Sequence, residues 1–365
     1  MSLSVIALLG RKDEPTDAVE EYCRYLSSAL QSHDIRLEIR RVPWEIHGWH
    51  ESLHALELMA TQWRGSWVLV QYTALAWSAR GYPRRVLGVI HTLKSAGAKV
   101  GIIFHDVEPY PGSRLIDTMR RFIQVRVMRR TLALADLAIS TVAPEKLSWL
   151  PANAPRPVFI PVGANLPIPN ESVPISTQGD LPTIGIFSIT GGDRGTWEAK
   201  LILDAVRYAA GRVGKLRLLV FGRHAELRET ALRDGLRDLP VELSVEGVID
   251  PQQVVQRFSA CHVSLFVRGG ISSRRGSAIA GIACGLPVVA FSGAETAPPI
   301  TDAGVILIPA NQPDRLNEAL ARVLSDAALR NELADRSRAA YLEYFSWAAI
   351  ARRVAEQLLS TSPLE

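Results

Sequence analysis

From His262 to Phe291 the chain reads HVSLFVRGGISSRRGSAIAGIACGLPVVAF, the stretch whose residue types and spacing point most directly to chemistry. His262 to Val267 is a compact, β-branched apolar run of the kind a strand buried on both faces needs. Arg268-Gly269-Gly270 is read as ending it. Ser277 to Cys284 is small and apolar, as a tightly packed helix requires. Gly285 stands where helices stop, and Leu286 to Phe291 reads as the next buried strand. Ser272, Ser273, Arg274, Arg275, Gly276 and Ser277 therefore fall between the end of a strand and the start of a helix. Free backbone N–H groups and the helix dipole favour an anion there. Two guanidinium forks match phosphate oxygens, so the expected ligand is a diphosphate. The plainer alternative is a glycine turn with two solvated arginines.

A second set of polar groups follows another buried run. His105, Asp106 and Glu108 come directly after KVGIIF. His105 can hydrogen-bond a hydroxyl, and Asp106 or Glu108 can take a proton from one. Equally, a carboxylate here can cap a loop around a buried histidine. Tyr72 and Trp77, at and after the end of WVLVQY, are candidates for stacking on an acceptor sugar, although such rings more often fill cores. Asp13, Glu14 and Asp17 sit in the loop after the first strand, where a solvated loop competes with an acceptor contact.

The elements that must position these groups alternate along the whole chain. Strand patterns are read at Ser4 to Leu9, Leu37 to Val42, Trp67 to Tyr72, Lys99 to Phe104, Leu137 to Ser140 and Val158 to Pro161. A second series covers Thr183 to Ser188, Leu216 to Phe221, Val241 to Val245, His262 to Val267, Leu286 to Phe291 and Gly304 to Ile308. Helices are read at Ala18 to Ser32, Trp197 to Ala210 and Pro251 to Phe258, and almost continuously from Gln312 to Leu359. Alternation of this kind implies α/β architecture with parallel sheets covered on both faces. Between Pro161 and Pro182 the pattern lapses into Pro, Ser and Asn, as an interdomain linker does. The expected division is 1–165, 166–345 and a final helical segment 346–365. Two Rossmann-like halves are expected to bind ligands at the carboxyl ends of their strands, facing a central cleft.

Composition sets outer limits. The 365 residues are 47% hydrophobic and 21% charged, with a net charge of +4 and a pI near 9.0. This mild basicity suits phosphorylated ligands or an anionic membrane surface and is too weak to imply nucleic acid. The N-terminus has no basic n-region, and no run of about 18 apolar residues occurs. Three cysteines without metal spacing fit a reducing, cytoplasmic setting. Arg114 to Arg130 carries six arginines against one acid, Asp117, interleaved with Leu115, Met119, Phe122 and Ile123. It reads either as a domain-covering helix with a basic face or as peripheral contact with the inner face of a membrane.

Several of these segments resemble the GT-B glycosyltransferases, most closely the retaining family four. Leu218 to Gly222 is similar to the strand and glycine turn before the nucleotide site. Glu246 to Pro251 is similar to the loop that contacts the nucleotide base, although Asp250 capping a helix that begins at Pro251 explains the same residues. Ala283 to Val289 is close to the wording after the donor-site helix, and Phe345-Ser346-Trp347 resembles the return to the first domain. The resemblance implies transfer of a sugar from a nucleotide-diphosphate donor to a glycan, lipid-linked or small-molecule hydroxyl. No metal motif is visible in the sequence, where arginines could replace a cation, and no cofactor is expected. The resemblance also implies donor contacts from Gly191, Gly192, Arg194, Gly222, Arg223, Gly247 and Val248, with Lys200 a further basic candidate, and a place for His105 near the donor sugar. The family usually has two glutamates eight positions apart before the donor-site helix. Ser272 and Ala280 stand at those places here. The same fold also serves sugar-nucleotide epimerases, and a nucleotide-binding partner subunit without turnover is a further alternative.

Overall fold

The computed structural model describes residues 3–14, 16–110, 112, 114–168 and 181–360. It divides into two compact units, Met1–Val162 with Trp347–Glu365, and Gly163–Ser346. The segment read as a linker falls largely on residues 169–180, outside the described residues.

The first unit runs β1 (Leu3–Leu9), α1 (Ala18–Leu30), β2 (Ile35–Arg41), α2 (Trp44–Ala60), β3 (Trp67–Tyr72), α3 (Val86–Ser95), β4 (Lys99–Phe104), α4 (Leu115–Leu134), β5 (Leu137–Ser140) and β6 (Val158–Phe159). The strands form one sheet in the order β2-β1-β3-β4-β5-β6, parallel at every pairing. Every residue of β3 is buried, whereas the edge strand β2 alternates buried and exposed positions over its first half. Covered central strands and a half-exposed edge are what helices on both faces produce. Asp17 starts α1 by accepting hydrogen bonds from the Val19 and Glu20 amides, both at 3.1 Å. Tyr22, Cys23, Leu26 and Leu30 then bury one helical stripe. The chain order reverses at β1, between β2 and β3, which is where an open parallel sheet leaves a crevice.

The second unit runs β7 (Thr183–Phe187), α5 (Gly192–Val213), β8 (Leu216–Phe221), α6 (Glu229–Leu236), β9 (Val241–Glu246), α7 (Pro251–Ser259), β10 (Val263–Gly270), α8 (Gly276–Ala283), β11 (Val288–Phe291), β12 (Val305–Ile308), α9 (Asp314–Ser325) and α10 (Ala327–Ala340). Its sheet order is β12-β11-β10-β7-β8-β9, again parallel. Numbered within the unit this is 6-5-4-1-2-3, the doubly wound nucleotide-binding order, with its switch point between β7 and β10.

Two elements depart from the sequence reading. Strand β10 does not stop before Arg268 but continues to Gly270, through a register shift after Phe266 that lets Gly270 pair with Phe291. Helix α5 begins at Gly192 rather than Trp197. Its first turn, Gly-Asp-Arg-Gly, has no apolar stripe, so periodicity alone sees the helix only from Trp197. Both changes bring arginines to the switch point.

The final helix, α11 (Trp347–Ser360), belongs to the first unit. Trp347 stacks on Tyr25 at 5.4 Å and meets the edge of Tyr22 at 5.2 Å. Ile350, Val354 and Leu358 complete the core beneath β1. Among the described residues, no helix is long and apolar enough to cross a membrane.

Candidate active site

At the β7/β10 switch point the second unit gathers cations. The N-cap of α5, Gly191, makes no side-chain capping bond, so the first-turn amides are available to an anion. Gly192 opens the helix at φ +64°, a conformation suited to glycine. Arg194, on that first turn, lies against the end of β10. A Cβ on Gly269 would come within 2.5 Å of its Nη2. Arg194 also lies 3.6 Å from Glu198, a fully buried carboxylate that accepts from the Thr190 amide and hydroxyl at 2.7 Å each.

Arg268 projects from β10 and donates to Ser277 Oγ at 3.3 Å, while its Nε is buried without a partner. Burial lowers its pKa, Glu198 raises it, and Arg223 and Arg194 lower it further. Arg275 stands at the N-cap of α8 with no side-chain capping bond. Its Nε is likewise buried and unpartnered. Burial first, then the neighbouring arginines Arg274, Arg268 and Arg194, pushes its pKa down to about 10, against a weaker opposing pull from Glu295. Crowded, desolvated guanidinium groups of this kind are stabilised by an anion among them.

Arg274 has a different position. It grips Glu295 with two hydrogen bonds of 2.7 Å. Ser272, fully buried, donates to the same carboxylate at 2.9 Å. Burial would raise the Glu295 pKa, but Arg274 and Ser272 together hold it below the usual carboxylate value. Ser273 is also buried. The expectation that Arg274, Ser272 and Ser273 present side chains to a diphosphate is therefore corrected. Two of these side chains are bound to Glu295 and the third is enclosed. Helix α8 opens at Gly276, one residue before the expected start at Ser277.

On the other side of β7, Gly222 has φ +95° and a Cβ there would come within 2.7 Å of Ser188 Oγ, so the close turn requires glycine. Its amide donates to Gly247 O at 2.8 Å, and the Arg223 amide donates to Ser188 Oγ at 3.2 Å. These bonds hold the turns after β7, β8 and β9 together. Val248 is 54% exposed beside them. Asp250 caps α7 by accepting from the Gln252 amide at 2.8 Å.

In the first unit a hollow of about 230 Å³ lies at the β1/β3 switch point, lined among others by Asp13, Asp17, Gln71, Thr73 and Asp106. Asp106 accepts from the Ala74 amide at 2.7 Å. His105 is mostly buried, its Nε2 2.8 Å from Gln71 Oε1 and its ring edge-on to Tyr22. Burial lowers its pKa to about 4, with Asp17 pulling weakly the other way, so the ring is neutral near pH 7. Glu108 is directed away from this group, accepting from the Ser148 amide at 2.8 Å and from its hydroxyl. Tyr72 and Trp77 are both 0% exposed. Trp77 donates to Gln71 O at 2.9 Å. Their expected role as stacking platforms is thereby overturned, because no ring face reaches solvent.

Glu295, Glu198 and Gln71 are not among the sequence candidates, and the sequence reads Arg268 only as a strand end. Only Arg268 carries a local signal, a cation within a buried strand ahead of a glycine pair. Among the described residues no group of three His, Cys, Asp or Glu side chains is arranged to hold a metal ion.

Residues 193–326 match the family model described as glycosyl transferases group 1. The chain is similar to Anabaena HepE in complex with UDP and glucose, at 14% identity and a TM-score of 0.66, over 98% of this chain and all of that one. It is similar to sucrose-phosphate synthase from Thermosynechococcus elongatus at 17% identity and a TM-score of 0.71, over 99% and 100%. A lipopolysaccharide outer core galactosyltransferase, WaaB, matches at 12% identity and a TM-score of 0.65, over 99% and 100%. No curated protein matches the sequence. The chain thus has the GT-B fold of these glycosyltransferases, and within its second unit residues 193–326 match the glycosyl transferases group 1 model.

Proposed function

We propose that this protein transfers a sugar from a nucleoside-diphosphate sugar to an acceptor hydroxyl. The observation that carries the reading is the set of arginines at the β7/β10 switch point, two of them with buried, unpartnered Nε groups. Arg275, Arg268 and Arg194 hold the diphosphate, joined by the first-turn amides of α5. As the glycosidic bond breaks, charge grows on the leaving diphosphate, and these fixed donors stabilise it most at that point. Gly222, Arg223, Gly247 and Val248 line the nucleoside side. UDP is the first base to test, because HepE was solved with UDP and glucose.

The acid-lined hollow of the first unit suits the hydroxyls of a glycan, lipid-linked or small-molecule acceptor. Asp106 is the carboxylate suited to receive the acceptor proton, and neutral His105 keeps Gln71 oriented beside it. The three cysteines, buried and free of disulfides, fit a cytoplasmic setting, with the protein meeting membrane-borne acceptors from that side.

Thermal unfolding with UDP, GDP, dTDP or ADP tests the donor site, since a ligand bound only by the native state must raise its stability. A shift with one nucleotide, lost in Arg275→Ala with Arg268→Ala, is the expected result. No shift with any of the four would overturn the reading.

A further inference from the structure

Helix α4 buries Ile123, Gln124, Val127, Met128, Thr131 and Leu132 against the first unit. At 100° per residue, positions 115, 119, 122, 126 and 129 fall on the opposite side. There Leu115 is 91% exposed, Phe122 66% and Met119 55%, with Ile116 alongside at 51%. Four large apolar side chains thus stand in water over the first two turns. Arg126, Arg129 and Arg130 continue the same face towards the C-terminus, all exposed. They border a groove of about 1160 Å³ that Arg84 closes from the loop before α3, with no acid among its lining residues. The helix's one acid, Asp117, is buried and paired with Arg120. Among the described residues Arg84, Arg126 and Arg130 form no ion pair.

We propose that this face docks the protein on an anionic phospholipid bilayer, with Leu115, Ile116, Met119 and Phe122 in the acyl boundary and the arginines on headgroup phosphates. A folded acidic protein would answer the arginines but leave the protruding apolar edge without a matching environment. The boundary between headgroups and acyl chains answers both, because apolar side chains enter it while long cations remain at phosphate level. The orientation is set by the helix itself. Its apolar turns and its cationic groove lie on one line, so the axis rests in the plane of the surface. The surface lies wholly on the first unit and goes beyond the proposed sugar transfer, which uses other residues.

The test is flotation of the full-length protein with phosphatidylcholine vesicles, with and without a phosphatidylglycerol fraction. Nucleotide-induced thermal shift is measured on the same preparations, so that failure of docking and failure of the donor site are read separately. Wild type is expected to float with the anionic vesicles alone. Arg126→Glu with Arg130→Glu, and separately Leu115→Ser with Phe122→Ser, should each weaken binding at least about tenfold. All four positions are exposed, so an unchanged melting temperature verifies folding. Glycerophosphate in solution should compete poorly, since it offers the phosphate without the acyl boundary. Absence of vesicle binding, equal binding to neutral vesicles, or full retention by the Leu115/Phe122 variant would overturn the proposal. Complete competition by glycerophosphate would do the same, reducing the groove to a site for free phosphate esters.

Discussion

Arg274 and Arg275 are neighbours of identical type, and the structure predicts opposite consequences for removing them. Arg274→Ala deletes both 2.7 Å bonds to Glu295 and leaves that carboxylate, only 15% exposed, with the Ser272 hydroxyl as its remaining donor. Stranding a largely buried charge costs about 3 kcal/mol. For a unit of this size that is a fall of roughly 6–12 °C in melting temperature. Arg275→Met removes a cation whose pKa is pressed down to about 10. Holding it charged opposes folding by up to about 3 kcal/mol at neutral pH, so the free protein should be as stable as wild type or more so. Its loss should appear in nucleoside-diphosphate affinity instead, at about 2 to 3 kcal/mol, or roughly 30- to 150-fold. Urea and thermal unfolding, paired with calorimetric titration of UDP, separate the two. The Glu295 contribution has a further signature. Its folded pKa is depressed, so its stabilisation is present above the unfolded value of about 4.3 and disappears as pH falls through the lower folded one. The gap between wild type and Arg274→Ala should therefore close in acid. The reasoning is refuted if Arg275→Met destabilises the free protein as much as Arg274→Ala while leaving nucleotide affinity intact.

Two other predictions concern the first unit. His105, with its pKa lowered to about 4 by burial, should stay neutral from pH 6 to 8 (about half a unit below the ordinary value and upward). Its stabilising contribution falls as pH drops from about 6.5 towards 4, because the unfolded ring takes a proton first. An imidazole resonance titrating near the ordinary value in the folded protein would contradict this. Trp77→Ala should cost about 3–5 kcal/mol in urea unfolding, as an enclosed ring does. Unchanged stability with a selective rise in acceptor KM would instead make Trp77 an acceptor-stacking residue.

Local chemistry in the sequence determined much of this protein. Runs such as WVLVQY and KVGIIF are short, apolar on both faces and rich in β-branched residues, the pattern of central parallel strands, and they form β3 and β4 inside the first sheet. Asp250 before Pro251 starts a helix because a capping carboxylate and a proline at the first helical position need only their neighbours. The glycine-flanked arginine loop after β10 was legible for the same reason. What only the tertiary structure decided is which groups meet. Glu295 lies 21 residues from Arg274, and no periodicity reports that their loops converge, so the locked arginine could not be told from the free one. Tyr72 and Trp77 stand where strands deliver residues to a crevice, yet both rings are buried in the core of the first unit. The first turn of α5 carries no apolar stripe, yet it is helical and sets Arg194 against Gly269 at the end of β10. Helix formation and strand burial are governed by neighbours a few residues away, whereas ion pairs and ring burial depend on contacts between segments distant in the chain, which folding alone brings together.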